Sequence, residues 1–447
     1  MFKKELKIVF ILAFVLLFRV FGISIIFPIF TNYLLTLKTV NKILISLTIG
    51  IYGFSQSFFQ IPLGILSDFF GRKKVIIFGL CIFILGCLVV VIEKSIYGIM
   101  IGRFLQGSGA ISSVILALAS DSISEKNRTI LMALIGIIFG ISFSIGIAMS
   151  PIIYDLFGLN NVLFLISFFS FLSILMIFYY IPKDNPINMN FSFYIVKNVI
   201  KKILINKNIL KLNCSIFLLH MLLMSNFIIL FPIIKKFGIS SIQQTKIYFF
   251  VLFFSLIISF ILLYQFKPSK KILQNSIILL FISILFFLFY KQHIYFFLFG
   301  LQIFFIGFNI IESILPAILV RIASFPYKGT TMSLFLTSQF FGLGFGGIIF
   351  GYLYSIVDNL LLLLIIELII LILWFLIVFH LDDGLYLTNF NYLMKNKNIN
   401  IDILIKDLMN IKGIKEVFLS KNKDVIYIKV NNLILSKNKV INFIDKY

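Results

Sequence analysis

Cysteine, histidine, tryptophan and charge are all scarce in this chain, and each scarcity closes a class of function. The 447 residues include three Cys, three His and one Trp. Cys81, Cys87 and Cys214 fall in or beside apolar stretches without a C-x-x-C spacing, so neither a disulfide framework nor a metal site is expected. No H-E-x-x-H, G-x-S-x-G or P-loop occurs, and the connections are too short to house a catalytic domain, so the reading is not an enzyme and needs no cofactor. Charged residues make up 13%, against roughly 25% in soluble domains, while 61% are hydrophobic. That excludes a string of soluble domains and leaves a membrane protein. The apolar run after Lys3, Lys4 and Lys7 continues to about Phe30 without a small-residue cleavage site, which marks a retained first span rather than a signal peptide.

Acidic residues are few as well, 17 against 39 Lys and Arg, for a net charge of +22. A nucleic-acid footprint needs basic residues clustered on one folded face. Here the lysines lie between apolar runs, so no nucleic-acid partner is expected, and the abundance of Ile, Phe, Asn and Lys makes part of the basicity compositional.

What the chain has in quantity is apolar runs of about 18 to 25 residues, the length that spans a hydrocarbon core of roughly 30 Å. Twelve are read, at approximately 8–30, 43–66, 75–92, 96–120, 130–151, 160–181, 212–234, 247–265, 272–290, 294–320, 330–352 and 359–380. The N-terminus, the even-numbered connections and the tail hold 30 of the 39 basic residues, and the odd-numbered connections hold 7. Cytoplasmic loops retain Lys and Arg, so both termini and the middle loop are expected on the cytoplasmic side. The division is a six-helix bundle over 1–185, a central loop over 186–211, a second bundle over 212–383 and a soluble domain over 384–447. Two six-helix halves joined by a cytoplasmic loop are the layout of a two-fold repeat transporter.

Residues 64–74 read Gly64-Ile65-Leu66-Ser67-Asp68-Phe69-Phe70-Gly71-Arg72-Lys73-Lys74. A carboxylate in this turn can face a helix N-terminus, and Gly64 and Gly71 allow close backbone approach; a hydrophilic turn with topogenic lysines is the competing reading. Span 4 opens with Gly102-Arg103-Phe104-Leu105-Gln106-Gly107, and Arg103, Gln106 and Gly107 share one face. An Arg at membrane depth must pair, face water or snorkel to the interface. Span 5 carries Gly136, Gly140, Ser144 and Ala148, and span 11 carries Ser338, Gly342 and Gly346, small-residue stripes that let helices approach closely. Span 10 reads Gly307-Phe308-Asn309-Ile310-Ile311-Glu312-Ser313-Ile314-Leu315-Pro316. A carboxyl among apolar side chains can take up and release a proton, which makes Glu312 a proton-carrier candidate. Interhelical hydrogen bonding by a protonated Glu is the structural alternative.

The first of these segments resembles motif A of the major facilitator superfamily, G-x-L-a-D-r-x-G-r-k-x, and Arg103 with Gln106 and Gly107 resembles its motif B. Two departures stand out: Phe69 replaces the basic residue that usually follows the Asp, and Ser150 precedes Pro151 where the antiporter motif has Gly-Pro. The F-N-x-x-E-x-x-L-P run, Gly329-Thr330-Thr331, Ser338-Gln339-Phe340-Phe341-Gly342 and Arg19 resemble the narrower YajR-type inner-membrane transporters over nearly the whole chain.

The resemblance implies an all-helical polytopic fold of twelve transmembrane helices, with spans 1, 4, 7 and 10 lining a central cavity. It places a conformational latch at Gly64, Asp68, Gly71 and Arg72, with Asp121 as the partner of Arg72. It implies proton coupling through Glu312, Arg103 and Arg19, and a cavity with His220, Asn226, Asn309 and Gln106. A lone intramembrane His such as His220 is more often a hydrogen-bonded packing residue.

Residues 385–447 contrast with this, carrying 11 Lys and 5 acidic residues. Apolar residues over 401–411 are at helical spacing, 417–419 and 425–430 flank a turn, and 440–447 can form a second helix. This reads as a small α+β cytoplasmic domain of ferredoxin-like type, as the resemblance also implies. Ligand binding, self-association and docking to anionic lipids are all open to it.

The function expected is secondary active transport by alternating access, as proton-coupled efflux (antiport) of a small hydrophobic or amphipathic molecule. Its partners are that substrate, protons and membrane lipids, and its location the cytoplasmic (inner) membrane. Sugar or amino-acid uptake, or a non-transporting sensor acting through the tail, are the alternatives.

Overall fold

A computed structural model describes residues 2–36, 42–93, 95–122, 125–181, 200–201, 203–229, 234, 237–266, 268–324, 328–356, 360–393, 401–419 and 425–444. The helices are apolar around most of their circumference, the pattern of segments facing both neighbours and lipid. Among the described residues, ten stretches are long and apolar enough to cross a membrane. The chain runs through α1 (Phe2–Thr36), α2 (Lys42–Phe70), α3 (Arg72–Ile92), α4 (Ile96–Ser108), α5 (Ser112–Ser122) and α6 (Glu125–Tyr180). After residues 182–199, which are outside the described set, come α7 (Lys207–Ile229), α8 (Ser241–Gln265), α9 (Lys270–Leu288), α10 (Ile294–Ile322), α11 (Lys328–Ile356) and α12 (Leu360–Phe379).

Two elements differ from the sequence expectation. Span 4 is broken: residues 109–111 separate α4 from α5. Spans 5 and 6 join as one bent element of 56 residues, because Gly158 turns the chain at φ 68 and ψ 170 without a loop, in a region that glycine enters at little cost.

The halves repeat each other's packing. Lys73 at the start of α3 donates to the carbonyls of Phe178 (2.7 Å) and Ile181 (2.6 Å) at the end of α6. Lys270 at the start of α9 donates to Phe379 O (3.0 Å) at the end of α12. In each half a lysine thereby caps unsatisfied carbonyls of a helix C-terminus. Likewise α6 packs on α1 and α11 on α7. Ser142 and Ser150 of α6 donate to Leu17 O and Ile25 O of α1, and Gly146 lies against Ser24 and Phe21 O. Ser142, Gly146 and Ser150 thus meet α1, while Ser144 and Ala148 of the stripe read in the sequence are buried as well. A Cβ at Gly140 meets nothing within 4 Å, and Gly136 falls outside the described side chains. On α11, by contrast, Gly342 and Gly346 sit against Phe217 O and Met221 O of α7, the latter 2.6 Å from a Cβ built at Gly346.

A second glycine face joins the halves. Cβ atoms built at Gly50 and Gly53 of α2 fall 2.6 Å from Gly344 O and Gly344 N of α11, and one at Gly347 falls 2.8 Å from Gly50 Cα. Phe54 packs against Phe341 and Phe345 beside them. These contacts occupy the half of α2 and α11 remote from the C-terminal domain.

That domain has its own core of Leu404, Leu408, Ile414, Ile426, Ile428, Val430, Val440 and Ile444. Its elements are β1 (Leu387–Leu393), α13 (Ile401–Asn410), β2 (Ile414–Leu419), β3 (Val425–Asn431) and α14 (Lys437–Ile444), with antiparallel strand order β1-β3-β2. β3 is inserted between β1 and β2, a split βαβ, and no fourth strand occurs among the described residues. The α13, β2, β3 and α14 segments were expected; β1 was not.

Alternation along β3 buries Ile426, Ile428 and Val430 under the two helices and turns Lys429 to the opposite face. Lys429 Nζ donates to Ile322 O (3.0 Å) and Ala323 O (2.9 Å) at the C-terminus of α10, and pairs with Glu416 (3.4 Å). Ser324 Oγ donates to the same Glu416 carboxylate (2.8 Å).

Candidate functional site

The polar residues singled out in the sequence collect in two places. In the first half, Arg19 of α1 is 2% exposed and reaches across to the break after α4, donating from Nη2 to Gly109 O (2.7 Å) and Gln106 O (3.4 Å). Where a helix breaks at membrane depth its last carbonyls lose their i+4 donors, and hydrocarbon offers no water to replace them. Arg19 supplies that donor. Its guanidinium carbon also sits 4.3 Å from the Phe83 ring centre on α3, and its described contacts include no carboxylate. Nε and Nη1 have no hydrogen-bond partner among the described residues.

Arg103, equally buried, donates to Gln106 Oε1 (2.7 Å) and lies 4.7 Å over the Tyr52 ring. Gln106 Nε2 contacts Cys87 Sγ (3.4 Å), and Tyr52 donates to Gln56 on its own helix. Four helices are pinned by this cluster, which uses carbonyl and amide oxygens and π faces to hold charge. Tyr52, Gln56, Phe83 and Cys87 were not singled out as site residues, because nothing local in α2 or α3 shows that they face the arginines.

In the second half, Glu312 of α10, His220 of α7 and Gln339 of α11 meet. Gln339 Nε2 lies 3.2 Å from Glu312 Oε1 and 2.8 Å from His220 Nε2. His220 Nδ1 is 3.2 Å from Ile216 O. A carbonyl accepts, so Nδ1 carries the ring proton, and Nε2 then accepts from the Gln339 amide, which has a second proton for Glu312. The network therefore assigns a neutral imidazole, with Gln339 donating to both neighbours. Glu312 Oε2 stands 3.8 Å from His220 Nε2 and has no hydrogen-bond partner among the described residues, while the Glu312 side chain is 28% exposed. Phe308, one turn before Glu312, packs edge-on to His220 and stacks with Phe143 from the other half. Gln339 lay in a quoted motif but was not named as a site residue; its role needs the α7–α10–α11 contact.

Other expected residues lie apart. The contacts described for Arg19 and Arg103 do not include Glu312. Asn226 bonds its own helix at Leu222 O (2.9 Å), and Asn309 ties α10 to Ser255 of α8 (3.1 Å). Glu367 of α12 accepts from Ser225 of α7. In the turn after α2, Gly71 adopts φ 95 as the residue before α3, so glycine is needed there for conformation. A Cβ at Gly64 has only an ordinary 3.7 Å contact with Ser113 Oγ. Arg72 donates to Ser67 Oγ, and the side chains of Asp68 and Asp121 fall outside those described. Among the described residues no His, Cys, Asp and Glu group could hold a metal ion.

Residues 12–267 match the family model described as Major Facilitator Superfamily. The chain is 31% identical to the inner membrane transport protein YajR of Escherichia coli K12, over 94% of this chain and 93% of that protein. It is 41% identical to an uncharacterized transporter of Buchnera aphidicola subsp. Baizongia pistaciae, over 80% of this chain and 92% of the other. Among solved structures, the human organic anion transporter MFSD10 superposes with a TM-score of 0.65 at 17% identity, covering 84% of this chain and 99% of that one. At that identity the likeness shows the fold alone.

Proposed function

This chain belongs to the major facilitator superfamily as a multi-pass membrane transporter, and on that premise we propose that it exports a small hydrophobic or amphipathic molecule in exchange for protons. The observation that carries this reading is the Glu312 carboxyl. One oxygen is held by Gln339, and the other, Oε2, is buried without a donor among the described residues, although the side chain as a whole is partly exposed. Such a group can gain a proton at Oε2 without breaking its existing bond. Neutral His220, 3.8 Å away, completes a polar patch among apolar side chains. Proton arrival removes a charge from the wall of the cavity, and proton departure restores it, so substrate and proton compete for one site.

Twelve crossings follow if α2 and the two limbs of α6 about Gly158 each count as one. We place both termini on the cytoplasmic side of the inner membrane, from the distribution of basic residues. On that orientation the glycine contacts between α2 and α11 lie on the outer side and hold the halves together there. Asp68 and Arg72, with Asp121, are assigned to holding the outward-facing state. Arg19 and Arg103 act in this scheme by fixing the broken α4–α5 span against α1, α2 and α3 while the halves rock.

Luminal pH in proteoliposomes of purified protein, challenged with hydrophobic cations, sugars and amino acids, tests the proposal. A substrate-dependent pH change is expected, absent in a correctly folded Glu312→Gln variant. Unaltered coupling in that variant would remove Glu312 from the mechanism.

A further inference from the structure

The C-terminal domain is held to the ends of the bundle helices. β1 begins eight residues after α12 ends, and the intervening segment is pinned to the helix ends. Arg321 of α10 donates to Asp383 O (3.1 Å), Lys270 N of α9 donates to the Asp383 carboxylate (2.7 Å), and Asp382 N donates to the Asn208 side chain of α7 (3.3 Å). Because β3 runs antiparallel to both neighbours, its end at Asn431 lies beside the start of β1 and close to the start of β2. The edge nearest the bundle therefore comprises these strand ends, the turn after β3, the end of α13 and the start of α14.

This edge concentrates exposed apolar side chains. Leu433 is 81% exposed, Ile434 52%, Met409 50% and Leu385 48%. Lys412 and Lys415, on either side of the turn into β2, and Lys439, in the first turn of α14, are exposed as well. The turn that presents Leu433 and Ile434 is already built. Asn431 accepts from Leu433 N through its side chain (3.0 Å) and from Ile434 N and Leu435 N through its carbonyl (3.0 and 2.9 Å). Asn432 N donates to Tyr386 O (2.8 Å), and Gly413, at φ 114, leaves no room for a Cβ beneath Leu435. The backbone that holds these two large apolar side chains outward is thereby fixed in advance.

We propose that this edge is a lipid-docking surface, in which Leu433 and Ile434 enter the headgroup layer of the cytoplasmic leaflet and Lys412, Lys415 and Lys439 engage anionic headgroups. Two features select a bilayer as the occupant. The edge is continuous with the ends of α7, α9, α10 and α12, and headgroup layers extend roughly 5 to 7 Å beyond the hydrocarbon on each side. An apolar tip with exposed lysines in the adjoining segments, in a domain with 11 Lys against 5 acidic residues, matches the charge of an anionic surface.

The test places an indole at the tip with Leu433→Trp in a Trp374→Phe background of the full chain, reconstituted in phosphatidylglycerol vesicles. If Trp374→Phe misfolds, Leu433→Trp is made in the native background and read as a difference. The expected result is blue-shifted emission at least halved by lipids brominated near the glycerol end of the acyl chain. Phosphatidylcholine vesicles, or adding Lys412→Gln and Lys439→Gln, should cut that quenching severalfold. Emission quenched by aqueous acrylamide but insensitive to brominated lipid overturns the proposal. So does a blue shift that grows with protein density and ignores bromine, which would mean a second copy covers the edge. Equal quenching in both lipids would overturn the role of the lysines.

Discussion

Replacing Arg19 with Met separates the two roles open to this residue, closing a broken helix and coupling protons. Methionine keeps much of the length and removes every donor. The bond to Gly109 O at 2.7 Å is the strong one, the contact to Gln106 O at 3.4 Å is weak, and the Phe83 face adds a third interaction. A hydrogen bond from a charged donor contributes about 1.5–3 kcal/mol, interhelical bonds in bilayers average nearer 0.6 with maxima near 1.7, and a desolvated cation–π contact contributes about 2. Removing the guanidinium also removes the cost of burying it. A net loss of about 2–3 kcal/mol is expected, or roughly 30- to 150-fold in the unfolding equilibrium. Arg19→Lys, which can reach one carbonyl but not fork, should lose about half as much. Reversible unfolding in mixed micelles reads the stability, and hydrogen exchange at residues 105–112 reads the break directly. Protection there should fall in Arg19→Met while the peptide around Glu312 is unchanged. Native stability and native protection in Arg19→Met, together with lost proton coupling, would refute the capping argument and return Arg19 to the proton path.

Gln339→Leu removes the donor shared by Glu312 and His220; two bonds at about 0.6–1 kcal/mol each correspond to roughly a tenfold fall in proton-coupled flux, read in the same proteoliposome assay. Gly344→Leu puts side-chain atoms where a Cβ already lies 2.8 Å from Phe54 N, and overpacking of about 1–3 kcal/mol should shift the halves toward an open outer side, raising maleimide labelling from outside at Ser46→Cys. Lys429→Met should loosen the C-terminal domain by about 2 kcal/mol, since removing one partner of a buried pair costs more than replacing both; adding Glu416→Leu should restore part of the exchange protection of β3. Burial holds the Lys429 ammonium below the usual lysine value of 10.5, with Glu416 opposing. The folded chain thus binds that proton less tightly than the unfolded one, so the stability of the folded, docked domain should be flat with pH below the folded-state pKa and rise from there to 10.5, read by exchange of β3.

Composition and run length alone determined that this chain crosses a membrane many times, since 61% hydrophobic residues in helix-length runs admit no other solvent. The motif after α2 and the F-N-x-x-E run were enough to read the family, because a strained turn and an intramembrane carboxyl restrict residue type locally. The tail's helices and hairpin were legible from periodicity for the same local reason. Contacts between distant helices were not. The break at 109–111 has no Pro, and it is held by Arg19, about 90 residues away, which satisfies the freed carbonyls. Strand β1 depends on pairing with β3, so its Asn-rich sequence gave no signal of its own. Small side chains occur on several faces of α6, and only the position of α1 selects Ser142, Gly146 and Ser150 as the ones that meet it. The same holds for α11, whose glycines serve two partners: Gly342 and Gly346 meet α7, while Gly344 and Gly347 meet α2. Sequence supplies the residue types that allow close approach or carry charge; which of them meet is decided by how the helices are arranged, and in hydrocarbon that arrangement must also satisfy every freed backbone group.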